Sequence, residues 1–354
     1  MLWKLIVPFL CVAMMTSVTM GLKPDWPKCG QSIEIRKNLR SDRWMKDLSH
    51  IIQDVKLSNI KIPASHDSGT YAINDSNSDS YSVDITSDPV MALIPTLVNI
   101  FSAYHLNTTN IKSFVAPWVR TQKCSIVDQL NHGLRHFDLR VCRDTDLIFK
   151  LCHALNAKPV AEELLAIKAW SDDHPSELIS LDFNHLYGFS TLAIHQAFAN
   201  VTLSILGSEN IASELTFNNT YSEFRDANKR FKLFYANSYL APLLLAEPSS
   251  NMVTPWPNVQ NLDLLKLSLN TTLNARSDFS KGFVSQVVLT PSLYMMVNGI
   301  VSHPRTFSVE DLSKQQYSIL SSWLQEFDRD KINIVNTDFY YTNFVKDIIK
   351  LNYV

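Results

Sequence analysis

Residues 59–71 read Asn-Ile-Lys-Ile-Pro-Ala-Ser-His-Asp-Ser-Gly-Thr-Tyr, an apolar run that ends in a histidine–aspartate pair. Ile60 and Ile62 are β-branched at alternate positions and Pro63 stops the pattern, which predicts a short strand. His66 and Asp67 fall just past its end, and Gly69 permits a sharp turn after them. Barrel and open α/β enzymes keep their chemistry at the C-terminal ends of strands. Taken alone, the same residues also describe a strand-to-loop turn whose histidine merely caps the backbone. Partners elsewhere in the chain decide between the two.

Downstream the pattern alternates. Ser125 with Asp128 has the form of a helix N-cap and Gly133 suits the stop, predicting a helix over 125–132. A strand over 137–141 puts Asp138 and Arg140 on one face. A polar turn leads to a second apolar run, 147–151, ending in Cys152 and His153. Pro159 opens a helix with Val160, Leu164, Ile167 and Trp170 on one face. Further strands are predicted over 177–184, 232–235, 283–289 and 332–335, and helices over 42–53, 190–206, 262–274 and 308–327. Asp182 lies in the first of these strands and Asp338 just beyond the last. Strands alternating with helices argue for an α/β fold with a mostly parallel sheet. Roughly six to eight strands fit a TIM-type (β/α) barrel, distorted or incompletely closed, better than an open doubly wound sheet.

The eight glycines form no G-x-G and no P-loop arrangement, and neither H-E-x-x-H nor G-x-S-x-G occurs. Dinucleotide, P-loop, zincin and serine-hydrolase readings therefore lose their main motifs. The 354 residues are 46% hydrophobic and 19% charged, with a net charge of -2, which gives no reason to expect nucleic acid. Residues 1–21 place Lys4 before an apolar run and then small residues, the layout of a secretory signal peptide. The run is short for a ~20-residue membrane span. The expectation is a secreted, extracellular chain with no transmembrane segment once mature. It would carry an N-terminal extension over 22–58 and a single barrel domain over 59–354 with an insertion at 74–118.

Loss of the leader removes Cys11 and leaves Cys29, Cys124, Cys142 and Cys152, an even number with three possible connectivities. Cys142 and Cys152 flank a reversing segment and can approach to the ~5.5 Å Cα separation of a disulfide, leaving Cys29 for Cys124. Sequons at Asn74, Asn107, Asn200, Asn218 and Asn270 predict a glycoprotein.

His66, Asp67, Asp138, Arg140, His153, Asp182 and Asp338 all fall at or near the C-terminal ends of strands, which converge on a barrel. Two histidines, an arginine and several carboxylates are the parts for moving protons on either side of a phosphodiester. Local alternatives remain: Arg140 paired with Asp138, His153 as neighbour of a disulfide, Asp182 bonded to Asn184 or His185.

In these pieces the sequence resembles the phosphatidylinositol-specific phospholipase C superfamily, most closely its X-domain-only members. The matching pieces are I-P-A-S-H-D-S-G-T-Y, T-Q-K-C-S-I-V-D-Q-L-N-H-G-L-R-H-F-D-L-R-V, C-H-A-L, H-P-S-E-L-I-S-L-D-F-N-H-L-Y, V-S-Q-V-V-L-T-P and the strand before Asp338. The resemblance implies a barrel enzyme cleaving the glycerol–phosphate bond of phosphatidylinositol, or its glycosylated form, at a membrane surface. The products would be diacylglycerol and an inositol cyclic phosphate. It implies His66 as general base oriented by Asp338, Arg140 on the phosphate, and His153 as general acid with Asp67 as partner. Asp138, Asp182, Lys232 and Tyr187 are the candidates for substrate contacts, with Tyr235 and Tyr340 as further tyrosines for the headgroup.

Calcium-dependent relatives carry a carboxylate where this chain has Arg140, so the expectation is no cofactor and no metal. Asp67, Asp138 and Asp182 stand where those relatives hold metal ligands, which leaves a weak divalent cation site open. Two other functions remain: a catalytically weak module binding inositol lipid or a glycan anchor, and a metal-dependent phosphodiesterase acting on another phospholipid.

Overall fold

The structure is a computed structural model that describes residues 25–73, 111–143, 147–292, 294–296, 308–317 and 319–353. The expected leader, most of the insertion, Asn74 and Asn107 lie outside the described residues.

A hairpin of β1 (Glu34–Arg36) and β2 (Leu39–Arg40) precedes the main sheet. That sheet contains β3 (Ile62–Ser65), β4 (His136–Arg143), β5 (Phe149–His153), β6 (Leu155–Pro159), β7 (Ile179–Tyr187), β8 (Phe231–Tyr235), β9 (Glu247–Pro248), β10 (Met252–Val253), β11 (Gly282–Val287) and β12 (Ile334–Thr337). Eight of these strands run parallel in the order β10-β11-β12-β3-β4-β7-β8-β9. They form a nearly closed barrel of one domain. The short turn Ser249–Asn251 joins β9 to β10, but no ladder pairs these two strands, so the ring has a seam there.

Parallel strands covered on both faces read as continuous apolar runs, and β8 and β11 are buried at every position. The helix Val160–Asp173 buries Val160, Leu164, Ile167 and Trp170, as its spacing predicts. Ser125 and Asp128 form a capping box for Ile126–Asn131. Gly133 ends that segment at φ +108, where an added Cβ would lie 3.0 Å from Val345 and 3.1 Å from Ile349. Both residues belong to Thr342–Lys350, a helix not predicted from the sequence.

Four expectations need correction. Pro63 does not stop the first strand but lies inside β3, where it needs only its carbonyl, which accepts from Arg135 N at 3.0 Å. The run near 147–151 is not a barrel strand. Its residues enter β5, which pairs antiparallel with β4 and then with β6, an excursion off the ring. The predicted helix over 42–53 is broken into Ser41–Arg43, Trp44–Asp47 and Ser49–Ile52. Here the buried Arg135–Glu177 pair replaces helical bonding: Arg135 donates to the carbonyls of Ser41 and Asp42, and Glu177 accepts from the amides of Met45 and Lys46. The predicted helix over 308–327 is two, Val309–Lys314 and Leu320–Glu326, because Tyr317 turns inward to donate to the Phe339 carbonyl at 2.8 Å.

Both expected disulfides are present, Cys29–Cys124 and Cys142–Cys152. No helix among the described residues is long and apolar enough to cross a membrane.

Candidate active site

The site stands on the C-terminal ends of four adjacent strands. β3 delivers His66 and Asp67, β4 Asp138 and Arg140, β7 Asp182 to His185, and β12 Asp338. β5 brings His153 from outside the ring. The parallel register aligns Thr337 with Ser65 and Asp138 with Asp182, so residues far apart in sequence reach one level of the barrel.

His66 Nδ1 lies 2.8 Å from Asp338 Oδ1, a contact that fixes the orientation and tautomer of the ring. Its Nε2 lies 3.5 Å from Asp67 and 3.9 Å from Asp138. Arg140 Nε is 2.5 Å from Asp67 Oδ1, and His153 Nδ1 is 3.3 Å from the other oxygen of that carboxylate. Asp67 thus stands among three cationic or protonatable groups. His153 Nδ1 also lies 2.8 Å from the Val119 carbonyl.

The electrostatics follow from this crowding. Burial works to lower the His66 pKa, but Asp67, Asp338 and Asp138 outweigh it and raise the ring to about 9. Burial likewise opposes ionisation of Asp67, and Arg140, His66 and His153 overcome it, holding the carboxyl well below its ordinary range. Asp182 has no such cation: burial and the Asp138 charge push it up to about 7, against a 2.9 Å bond from Ser249. Burial raises Asp338 as well, and the His66 charge pulls against it.

Of the substrate-contact candidates, Asp138 and Asp182 belong to the group. Tyr187 lies near it, with its ring centroid 6.1 Å from that of His185. Lys232 does not serve as a phosphate contact. It is fully buried, ion-paired with Glu247 at 2.5 Å, and donates to the carbonyls of Ala212 and Leu215. Tyr235 and Tyr340 are core residues whose hydroxyls bond His195 and His132 at 2.7 Å. Arg140 pairs with Asp67, and Asp138 receives the Asn184 amide and the Asp67 N–H.

Sequence reasoning missed Trp256, whose ring lies 5.1 Å from that of His66 at an interplanar angle of 34°. It also passed over His185, whose surrounding charges are Arg140, Asp138, Asp67 and His66. Thr121 and Gln122 open the T-Q-K-C stretch without a signal of their own. Nothing in the composition of these stretches marks them; only the barrel brings them to the mouth.

One ligand atom each from His66, Asp67 and Asp138 lie within 4.8 Å of one another, a spacing able to hold a cation. The donor set fits a hard divalent ion poorly as it stands, because the Arg140 guanidinium lies 2.5 Å from Asp67 and one of the three donors is an imidazole nitrogen where such ions prefer oxygen. Asp182 is not part of that group.

A nearly closed parallel barrel with two histidines, an arginine and a carboxylate set at its C-terminal mouth has the fold of the phosphatidylinositol-specific phospholipases C. The PI-PLC X family model matches residues 105–238. PI-PLC X domain-containing protein 3 of Mus musculus is 29% identical over 326 residues, covering 90% of this chain and 96% of that protein. PI-PLC X domain-containing protein 2 of Mus musculus is 28% identical over 322 residues, covering 87% of each. Among solved structures, a mutant phosphatidylinositol-specific phospholipase C from Staphylococcus aureus superposes with a TM-score of 0.61 at 16% identity, over 91% of this chain and 99% of that one. The phosphatidylinositol-specific phospholipase C from Listeria monocytogenes gives 0.58 at 16% identity, over 89% and 99%. The chain is thus similar over most of its length to PI-PLC X domain-containing proteins, and the family model itself matches its residues 105–238.

Proposed function

We propose that this protein is a metal-independent phosphodiesterase that cleaves phosphatidylinositol or its glycosylated form to diacylglycerol and an inositol cyclic phosphate. The observation that carries the reading is the paired holding of the histidines: each Nδ1 has a fixed acceptor, Asp338 for His66 and the Val119 carbonyl for His153. That arrangement assigns proton transfer to Nε2 of each ring. His66, once neutral, takes the proton from the inositol hydroxyl next to the phosphate, and that oxygen attacks phosphorus. Arg140 stabilises the charge growing on the non-bridging oxygens, where its planar donors suit a phosphate. His153 gives its proton to the departing diacylglycerol oxygen, and the ring of the cyclic phosphate closes.

The substrate class follows from the count of cations. Lys232 is consumed inside the barrel wall, which leaves Arg140 as the cation beside the two histidines. Recognition of extra ring phosphates calls for further Lys or Arg. A single phosphodiester is the better match, and the Asp182 carboxyl and Tyr187 suit sugar hydroxyls.

Secretion is part of the proposal. Two disulfides suit an oxidising compartment, and the sequon residues Asn200, Asn218 and Asn270 are exposed. A cation held by His66, Asp67 and Asp138 is the specific alternative. One experiment separates the two: turnover of phosphatidylinositol vesicles by the purified protein in excess chelator. Cyclic phosphate formed at an undiminished rate supports the proposal. No product, or product only with added calcium, overturns it.

A further inference from the structure

Gln122 is fully buried, and its Nε2 donates to two backbone carbonyls, that of His66 at 2.8 Å and that of Thr337 at 3.0 Å. Thr337 is the last residue of β12 and its carbonyl belongs to the peptide that enters Asp338; it also accepts from His66 N at 3.2 Å. One side-chain amide therefore bonds the peptide leaving His66 to the peptide entering Asp338. The two acceptors also fix the orientation of that amide, since Oε1 in place of Nε2 would face two carbonyls.

The neighbouring Thr121 adds to the same stitch. Its Oγ1 donates to the His66 carbonyl at 2.9 Å, and its own carbonyl accepts from Phe339 N at 2.7 Å. These bonds fall beside two residues in a left-handed conformation. Asp67 and Phe339, the residues directly after His66 and Asp338, have φ of 43° and 45°. A left-handed conformation in a non-glycine residue is unfavourable and persists only where the surroundings hold it. Relaxation at either position would turn the chain beside the 2.8 Å His66–Asp338 bond.

We infer that Gln122 is a positioning residue that holds His66 and Asp338 in register for proton transfer. The inference rests on the function proposed above for its kinetic readout alone. Gln122→Leu removes both donations at similar volume, and Gln122→Glu keeps the shape but, ionised, offers no donor. The expected result for either variant is a kcat ~10- to 100-fold lower on phosphatidylinositol vesicles, with KM within about twofold. Histidine-labelled protein followed by NMR should show the His66 titration displaced toward that of an ordinary histidine. A Gln122→Leu change made in an Asp338→Asn background should cost less than about a further twofold in rate, because the two act through one ring. A merely structural glutamine would lower stability and leave the His66 titration in place, and that outcome in a folded variant overturns the inference. Should Gln122→Leu fail to fold, Gln122→Glu carries the test. Should the wild-type protein not turn over phosphatidylinositol, the proposed function fails while the His66 titration alone still decides the role of Gln122.

Discussion

Replacing Asp338 by asparagine puts the central pair to the test. The step of the His66 pKa from 6.5 to about 9 corresponds to about 3 kcal/mol of preference for the charged ring. Asp338 supplies part of it through the 2.8 Å contact, with Asp67 at 3.5 Å and Asp138 at 3.9 Å supplying more. Losing one full charge at contact distance should lower the pKa of the ring by on the order of one to two pH units. A base must be neutral to act, so wild-type kcat/KM should rise about tenfold per pH unit and level near pH 9. In Asp338→Asn the rise should end one to two pH units earlier. The plateau should nevertheless fall by on the order of 10³- to 10⁴-fold, since the asparagine amide favours the tautomer with the proton on the wrong nitrogen. Stability moves with the same group. A pKa raised on folding contributes stability that is complete below about pH 6.5 and is lost as pH rises through about 9, and the variant should lose most of this term. Initial rates on phosphatidylinositol vesicles from pH 5 to 10, with chemical unfolding at the same pH values, supply both measurements. A variant within about threefold of wild type across that range would refute the pairing argument.

His153→Ala should lower turnover by ~10²- to 10⁴-fold on the natural lipid and much less on a substrate whose leaving oxygen needs no proton; equal losses on both would remove it as the acid. Loop-closure entropy puts the loss of Cys142–Cys152, which spans 10 residues, at about 3 kcal/mol, and that of Cys29–Cys124, which spans 95, at about 4.5 kcal/mol. Denaturant unfolding of Cys→Ala pairs should reproduce that order, and the reverse order would show that strain or residual structure dominates. Rates on matched vesicles of phosphatidylinositol, its glycosylated form and a bisphosphorylated inositide should favour the first two; faster cleavage of the third would show that cations other than Arg140 reach the headgroup.

The strand ends that carry His66, Asp138, Arg140, Asp182 and Asp338 were legible because apolar runs stop there in polar residues, and a parallel barrel gathers such ends at one mouth. The β5–β6 excursion was not legible, since a five-residue apolar run reads alike whether it joins a ring or folds back on one strand. Lys232 misled for a related reason. A lysine beside a strand end suggests a ligand contact, but this one lies in the barrel wall, where Glu247 and two carbonyls satisfy it. Gln122 and Trp256 leave no local pattern at all, because their partners are backbone carbonyls and a ring more than fifty residues away.

The seam between β9 and β10 gives the barrel uneven stiffness. In the strand order β10-β11-β12-β3-β4-β7-β8-β9, the four strands that carry Asp338, His66, Arg140 and Asp182 occupy the middle, each bonded on both sides. The seam lies on the opposite wall, where two-residue strands are bonded on one side only. A fully laced ring changes its bore only by shearing every strand, whereas a split ring widens at the split. Any change of bore is therefore expected at Glu247–Val253, next to Trp256, which is 44% exposed, rather than between His66 and Asp338. In hydrogen exchange the amides of Met252 and Val253 would be the first of the barrel to trade with solvent, and those of β12 and β3 among the last.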